Sequence, residues 1–198
     1  MKRLSLALAL WALVPGGLAA QVRYSAMLSV GGGTELLRDR IFQDIELEQK
    51  HLAALTLGAS LPVAPRDRLG VEVGLGFGGT TVSEAGVGRT DGPSYRTLSA
   101  TLGYEGPVAW RIRYRASAGV LKYLPDKRDI FRRGGPAALL LGAAAEYRMP
   151  FGRGLDLFGR LQYDFHRFIT RELEDRGFGR SQDVHRLAIG LGIGYLRP

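Results

Sequence analysis

Most of this chain is written in segments where apolar residues alternate with polar or small ones at every second position. A period of two sends successive side chains to opposite faces, which a strand can satisfy and a helix cannot. The sharpest case is Trp110-Arg111-Ile112-Arg113-Tyr114-Arg115-Ala116-Ser117-Ala118-Gly119-Val120. The chain ends in the same way, with Leu187, Ile189, Leu191, Ile193 and Tyr195 set between Ala188, Gly190, Gly192 and Gly194. Eight strands are expected, over 22–33, 51–62, 69–82, 95–105, 110–123, 137–148, 155–169 and 183–196.

The connections alternate in length. Those after the second, fourth and sixth strands are short and carry Pro62, Pro65, Pro107 and Pro150. Those over 34–50, 84–94, 124–136 and 170–182 are longer and charged. Short turns at one end and long loops at the other is the asymmetry of a bacterial outer-membrane barrel. An even strand number then places both termini at the short-turn, periplasmic end.

The start of the chain agrees with export. Met1, Lys2 and Arg3 precede an apolar run from Leu4 to Val14, and Pro15-Gly16-Gly17 with Ala19-Ala20 follow. A basic start, a short apolar stretch and small residues make a secretory signal peptide over 1–20. Residues 21–198 are then one barrel domain. The chain has no cysteine, so no disulfide holds it. Its formal charge is +8, but the basic residues are scattered among acids and form no run, so nucleic acid is not an expected partner. After the signal no apolar stretch reaches the ~20 residues a membrane helix needs, whereas a barrel strand spans with about ten.

Alternation alone does not say which face is buried, because a soluble lipocalin-type barrel is apolar inside. Three features put the apolar face outside. Tyr24, Tyr104, Trp110, Tyr147 and Tyr195 sit on the apolar parity near the short turns, as a membrane-interface girdle does. The other parity is rich in glycine, including Gly70, Gly74, Gly76, Gly78, Gly190, Gly192 and Gly194, which suits a crowded interior. That parity also carries charges able to pair within a lumen: Glu72, Glu105, Arg111, Arg113, Arg115, Glu146, Arg148, Asp156, Asp164 and Arg186. A tight hairpin is expected to face Glu105 with Arg111, neighbouring strands to join Arg113 to Glu146, and Asp164 to meet Arg186.

Signal peptide, eight alternating strands, short turns and long loops together resemble the small outer-membrane barrel families typified by the OmpA transmembrane domain, OmpX and OmpW. The resemblance implies an all-β, eight-stranded antiparallel up-and-down transmembrane barrel in the bacterial outer membrane, in contact with its lipid and lipopolysaccharide. Such barrels often end on an aromatic residue, whereas here Leu196-Arg197-Pro198 follow Tyr195.

No catalytic, metal or cofactor motif stands out. Gly31-Gly32-Gly33 and Gly76-Phe77-Gly78-Gly79 lack the Lys-Ser/Thr and the strand-to-helix setting of a phosphate loop. Lipid A hydrolases of this architecture place a serine two residues after a histidine. His166 is followed by Arg167-Phe168 and His185 by Arg186-Leu187, and the third histidine is His51. Parity points His166 inward and His185 outward. The loop 34–50 carries Leu36, Leu37, Ile41, Phe42, Ile45 and Leu47 among charges, so it either extends a hairpin or forms a short amphipathic helix, and offers a surface to a protein partner. Lys127, Arg128, Arg132 and Arg133 suit lipopolysaccharide phosphates. The expected function is a non-enzymatic barrel acting through its loops, its lumen closed by inward charges. The alternatives are a narrow channel for small or hydrophobic solutes, a lipid A-modifying enzyme and a soluble periplasmic barrel.

Overall fold

The computed structural model describes residues 21–34, 37–39, 45–84, 88–125, 137–169 and 182–196. The strands are β1 (Arg23–Gly33), β2 (Leu37–Asp39), β3 (Ile45–Gln49), β4 (Leu52–Pro62), β5 (Arg68–Glu84), β6 (Gly88–Ala109), β7 (Ile112–Pro125), β8 (Ala137–Pro150), β9 (Leu155–Phe168) and β10 (Gln182–Leu196). Eight of them close a ring in the order β1-β4-β5-β6-β7-β8-β9-β10, and β10 pairs back onto β1. Every pairing around the ring is antiparallel.

The eight expected strands are these eight, with two differences at the loop end. In its described part the first loop takes the strand alternative and not the helical one. It folds as the pair β2–β3, and β3 docks on β5 from Ile45↔Glu84 to Gln49↔Thr80. The second loop is largely strand too, because β6 begins at Gly88 and pairs with β5 up to Glu84. Together β2, β3 and the upper parts of β5 and β6 make a sheet that rises beyond the ring. The signal segment 1–20, residues 35, 36 and 40–44 of the loop expected to meet a protein partner, and Lys127, Arg128, Arg132 and Arg133 lie outside the described residues.

The stagger of the ring follows from its register. Stepping across hydrogen-bonded partners from Arg23 leads through Ser60, Gly70, Gly103, Ser117, Gly142, Asp164 and Arg186 back to β1 at Gly33, ten positions higher. Eight strands with that stagger tilt by about 40° and enclose a cylinder of about 8 Å backbone radius, a bore that side chains fill.

The two parities separate as the alternation requires. Leu28, Leu57, Val73, Leu102, Val120, Leu139, Leu161, Ile189 and Leu191 all point outward and are exposed. On an all-β molecule of this kind, that band faces hydrocarbon. Among the described residues, the inward parity holds every charged residue that is buried: Arg23, Glu105, Arg115, Glu146, Arg160 and Arg186. Glycine makes room for them. A Cβ at Gly192 would run into the Phe158 ring, and one at Gly103 into the Arg115 guanidinium. In the turn after β8, Gly154 takes φ +75 and its carbonyl accepts the Leu196 N–H at 2.7 Å, fastening the end of β10.

Leu191 is 76 % exposed and lies mid-strand on the outer wall. Its replacement by arginine is expected to destabilise the barrel in lipid vesicles by about 2–4 kcal/mol, read from urea unfolding followed by tryptophan fluorescence. A barrel with its apolar face inward and this side in water would show no such loss.

Candidate functional site

The lumen gathers the charges, and it does so at the short-turn end. Arg160 on β9 reaches across the bore to Glu72 on β5, the strand diametrically opposite in the ring. Its Nη2 donates to Glu72 Oε1 at 2.7 Å and its Nη1 to Oε2 at 3.0 Å. The same guanidinium donates from Nε to Glu146 Oε1 at 2.8 Å. Arg148 continues the chain, donating from Nη2 to Glu146 Oε2 at 2.7 Å and to Glu105 Oε2 at 2.8 Å. Arg68 stands 3.8 Å from Glu105, and Arg115 stands 3.4 Å from Glu72. Acids and bases therefore alternate from Arg115 through Glu72, Arg160, Glu146, Arg148 and Glu105 to Arg68. Beside them Arg23 forms a two-pronged pair with Asp156, at 2.6 and 3.0 Å. Phe158 lies between two cations, with Arg23 and Arg160 at 5.1 and 5.7 Å from its ring. Glu146 keeps only 1 % of its surface accessible, so its charge depends on these partners.

The expected lumen residues are mostly here, but their partners differ. Arg111 is not in the lumen. It sits in the β6–β7 turn with its guanidinium 4.0 Å over the Trp110 ring. β6 runs on to Ala109 and the chain turns at Trp110-Arg111, so Glu105 lies opposite Arg115 rather than Arg111. Arg113 does face Glu146 across β7 and β8, yet it donates to the Arg66 carbonyl at 2.6 Å. Glu146 has a second neighbour, Arg160 on β9, and bonds to that one. Asp164 and Arg186 are also cross-strand partners. Asp164 accepts from Gln162 at 2.9 Å, while Arg186 donates upward to Tyr123 Oη at 2.6 Å and Gln49 Oε1 at 3.1 Å. Arg160, Arg23 and Arg68 were missed by the sequence reading, although Arg160 lies on the inward parity between Phe158 and Gln162.

The loop end of the bore is apolar and aromatic. Tyr95, Leu121, Tyr123, Leu140, Phe168 and Val184 form one buried cluster, with Leu52 and Val82 packed against it. Tyr123 is its centre. Its ring lies 5.4 Å from Tyr95 and 5.1 Å from Phe168, and its hydroxyl bonds His166 Nε2 at 2.8 Å. Gln49 of β3 reaches into the same cluster and donates to the Tyr123 hydroxyl at 3.3 Å. Gly33 leaves the space that Gln49 occupies. Between the aromatic cluster and the ion chain lies a cavity of about 80 Å³.

On the outer wall, Tyr24 and Tyr195 are register partners near the short turns, and Tyr104 lies 6.2 Å from Tyr114. Tyr114 thus adds to the expected girdle of Tyr24, Tyr104, Tyr147 and Tyr195, while Trp110 sits in the turn, below the strands. The histidines do not converge. His166 is buried inside, His51 is exposed ahead of β4, and His185 faces out with its Nδ1 2.5 Å from Tyr163 Oη. Above the ring, Lys50 pairs with Asp91 at 2.6 Å and Glu48 pairs with Arg89, so two ion pairs tie β3 to β6 across β5.

Comparison with known proteins agrees with this architecture. Residues 51–196 match the outer membrane protein beta-barrel domain family. The fold is similar to that of OprG from Pseudomonas aeruginosa, at TM-score 0.55 and 13 % identity, over 89 % of this chain and 96 % of that one. It is similar to AlkL, solved in lipid bilayers, at 0.52 and 16 %, over 89 % and 90 %. Neisserial surface protein A follows at 0.51 and 11 %, over 88 % and 96 %. No curated protein matches by sequence. The strand ring, the outward apolar belt and the family match lead to one statement: this chain belongs to the outer membrane protein beta-barrel domain family and is an integral barrel of the bacterial outer membrane.

Proposed function

We propose that this protein is a non-enzymatic barrel whose lumen is closed and whose work is done at the cell surface. The observation that carries this reading is the Arg160–Glu72 pair, which joins opposite walls of the bore through two hydrogen bonds. A lumen of about 8 Å backbone radius has no room for a water column beside such a chain of guanidinium and carboxylate groups. Recognition then falls to the sheet of β2, β3 and the tops of β5 and β6. Two ion pairs hold it upright, and it presents the loop 34–50 to a protein partner. Lys127, Arg128, Arg132 and Arg133 in the third loop complement lipopolysaccharide phosphates in charge.

The refolded protein in a planar bilayer is expected to show no discrete conductance steps, once a heat-shift gel has confirmed folding. Reproducible steps would reverse the reading in favour of a narrow channel. The ion chain also makes a stability prediction. Arg160→Ala takes the main partner from the buried Glu146 and the half-buried Glu72, leaving them Arg148 and Arg115 alone, and is expected to cost about 3–5 kcal/mol in urea unfolding. The pair Arg160→Met with Glu72→Leu removes charge from both ends and is expected to recover part of that loss. Equal losses for the two proteins would mean the charges are not paired as described.

A further inference from the structure

The bore is crossed at two heights by two unlike chemistries, and between them lies a space with both polar and apolar side chains on its wall. The lower crossing is the ion chain from Arg115 to Arg68. The upper crossing is the cluster of Tyr95, Leu121, Tyr123, Leu140, Phe168 and Val184, to which every strand from β6 to β10 contributes. The cavity of about 80 Å³ between them is lined by Thr56, Thr97, Ser99, Thr101, Gln162 and Asp164. Glu72 and Arg115 bound it below, and Leu121, Leu140 and Arg186 above. A water takes about 30 Å³ and stays where it finds two to four polar partners, so this space suits two or three waters.

We infer that the barrel encloses an isolated water-filled chamber with two independent closures, either of which blocks ion flow alone. This rests on the closed-lumen reading above and goes further by dividing that closure in two. The closures work by different physics. The upper one excludes water, as a hydrophobic constriction does. The lower one fills the bore with paired charges that hold one another in place. The upper closure is also linked to the surface. Gln49, on the strand that returns from the first loop, bonds both Tyr123 and Arg186. A partner that lifts β3 therefore withdraws a side chain from the upper closure and leaves the lower one intact. The chamber then becomes a pocket facing outward, of a size and polarity for a small hydrophilic ligand, and not a pore.

The test uses the absence of cysteine from the chain. Ser99→Cys places a lone thiol on the chamber wall with little change in size. The upper closure is opened by Tyr123→Ala or, should that protein fail to fold, by Phe168→Ala. The lower one is opened by Arg160→Ala with Glu72→Ala, or by Arg148→Ala with Glu105→Ala. Labelling by a small alkylammonium methanethiosulfonate, followed by mass in micelles, needs only one opening. Conductance in a bilayer needs both. The thiol is expected to react slowly in the otherwise unaltered barrel, and about tenfold faster or more when either closure is opened. Conductance is expected only when both are opened. A singly opened protein that conducts would overturn the proposal, and so would a doubly opened one that stays silent. Rapid labelling of the unopened barrel, with conductance still absent, would overturn the chamber and spare the closed lumen. Conductance of the unaltered protein would sink the closed lumen itself.

Discussion

A chain that crosses hydrocarbon as strands has to pair every backbone N–H and C=O within itself, because lipid offers them no partner. The rest of this architecture follows from that demand. An open sheet would leave two edges unpaired, so β10 returns to β1 along the whole strand, from Arg23↔Leu196 to Gly33↔Arg186. Closing eight strands with a stagger of ten residues sets the tilt, and the tilt sets the radius. Once the radius is set, the interior volume is no longer free. Large side chains need glycine opposite, which is why Gly192 faces Phe158 and Gly103 faces Arg115. The outer wall has the opposite freedom, since lipid adapts to any apolar shape, and there leucine, valine and isoleucine are used almost interchangeably.

The interior charges are harder to justify as a source of stability. Burying an ion pair costs desolvation that the attraction only about offsets, and an apolar core of equal volume would serve as well. What the ions supply is a penalty for error. A strand shifted by two residues keeps its apolar face to the lipid and loses little there. Inside, the same shift would separate Glu146 from Arg160 and leave each with an incomplete set of partners in a space without bulk water. Arg23 and Asp156 extend this control to the last step, because their bond passes over β10 and joins β1 to β9. The ring can close at that seam in another register only by breaking it.

This also explains how far the sequence could be read. A period of two reports which face a side chain is on, and the parities, the outward position of Tyr24, Tyr104, Tyr147 and Tyr195 and the inward set around Glu72, Glu105, Glu146 and Arg148 were all legible from it. Partners were not. Neighbours along a hairpin can be guessed only if the turn is placed correctly, and a turn at Trp110-Arg111 instead of nearer Pro107 moves the partner of Glu105 from Arg111 to Arg115. Partners across the bore depend on the stagger, which no local pattern encodes. Arg160 was therefore overlooked although its parity was plain, for its main partner Glu72 lies 88 residues away in the chain and four strands away in the ring. The aromatic cluster was hidden for a related reason. Tyr95, Tyr123 and Phe168 fall on the inward parity at the loop ends, where polarity no longer separates the two faces.

The unequal ends of the bore bear on how a surface element and an interior communicate. At the short-turn end the crossing groups come from strands that are fully paired in the ring, so nothing outside the wall can move them without unzipping it. At the loop end the cluster borrows Gln49 from β3, a five-residue strand held on one side by β5 and on the other by the three residues of β2. Short strands with few partners open more readily than long ones. The proposed recognition sheet and the upper closure thus share a side chain, while the lower closure shares none with it. Among the described residues, the proposed coupling between a surface partner and the lumen enters through β3, and by geometry it stops above the ion chain.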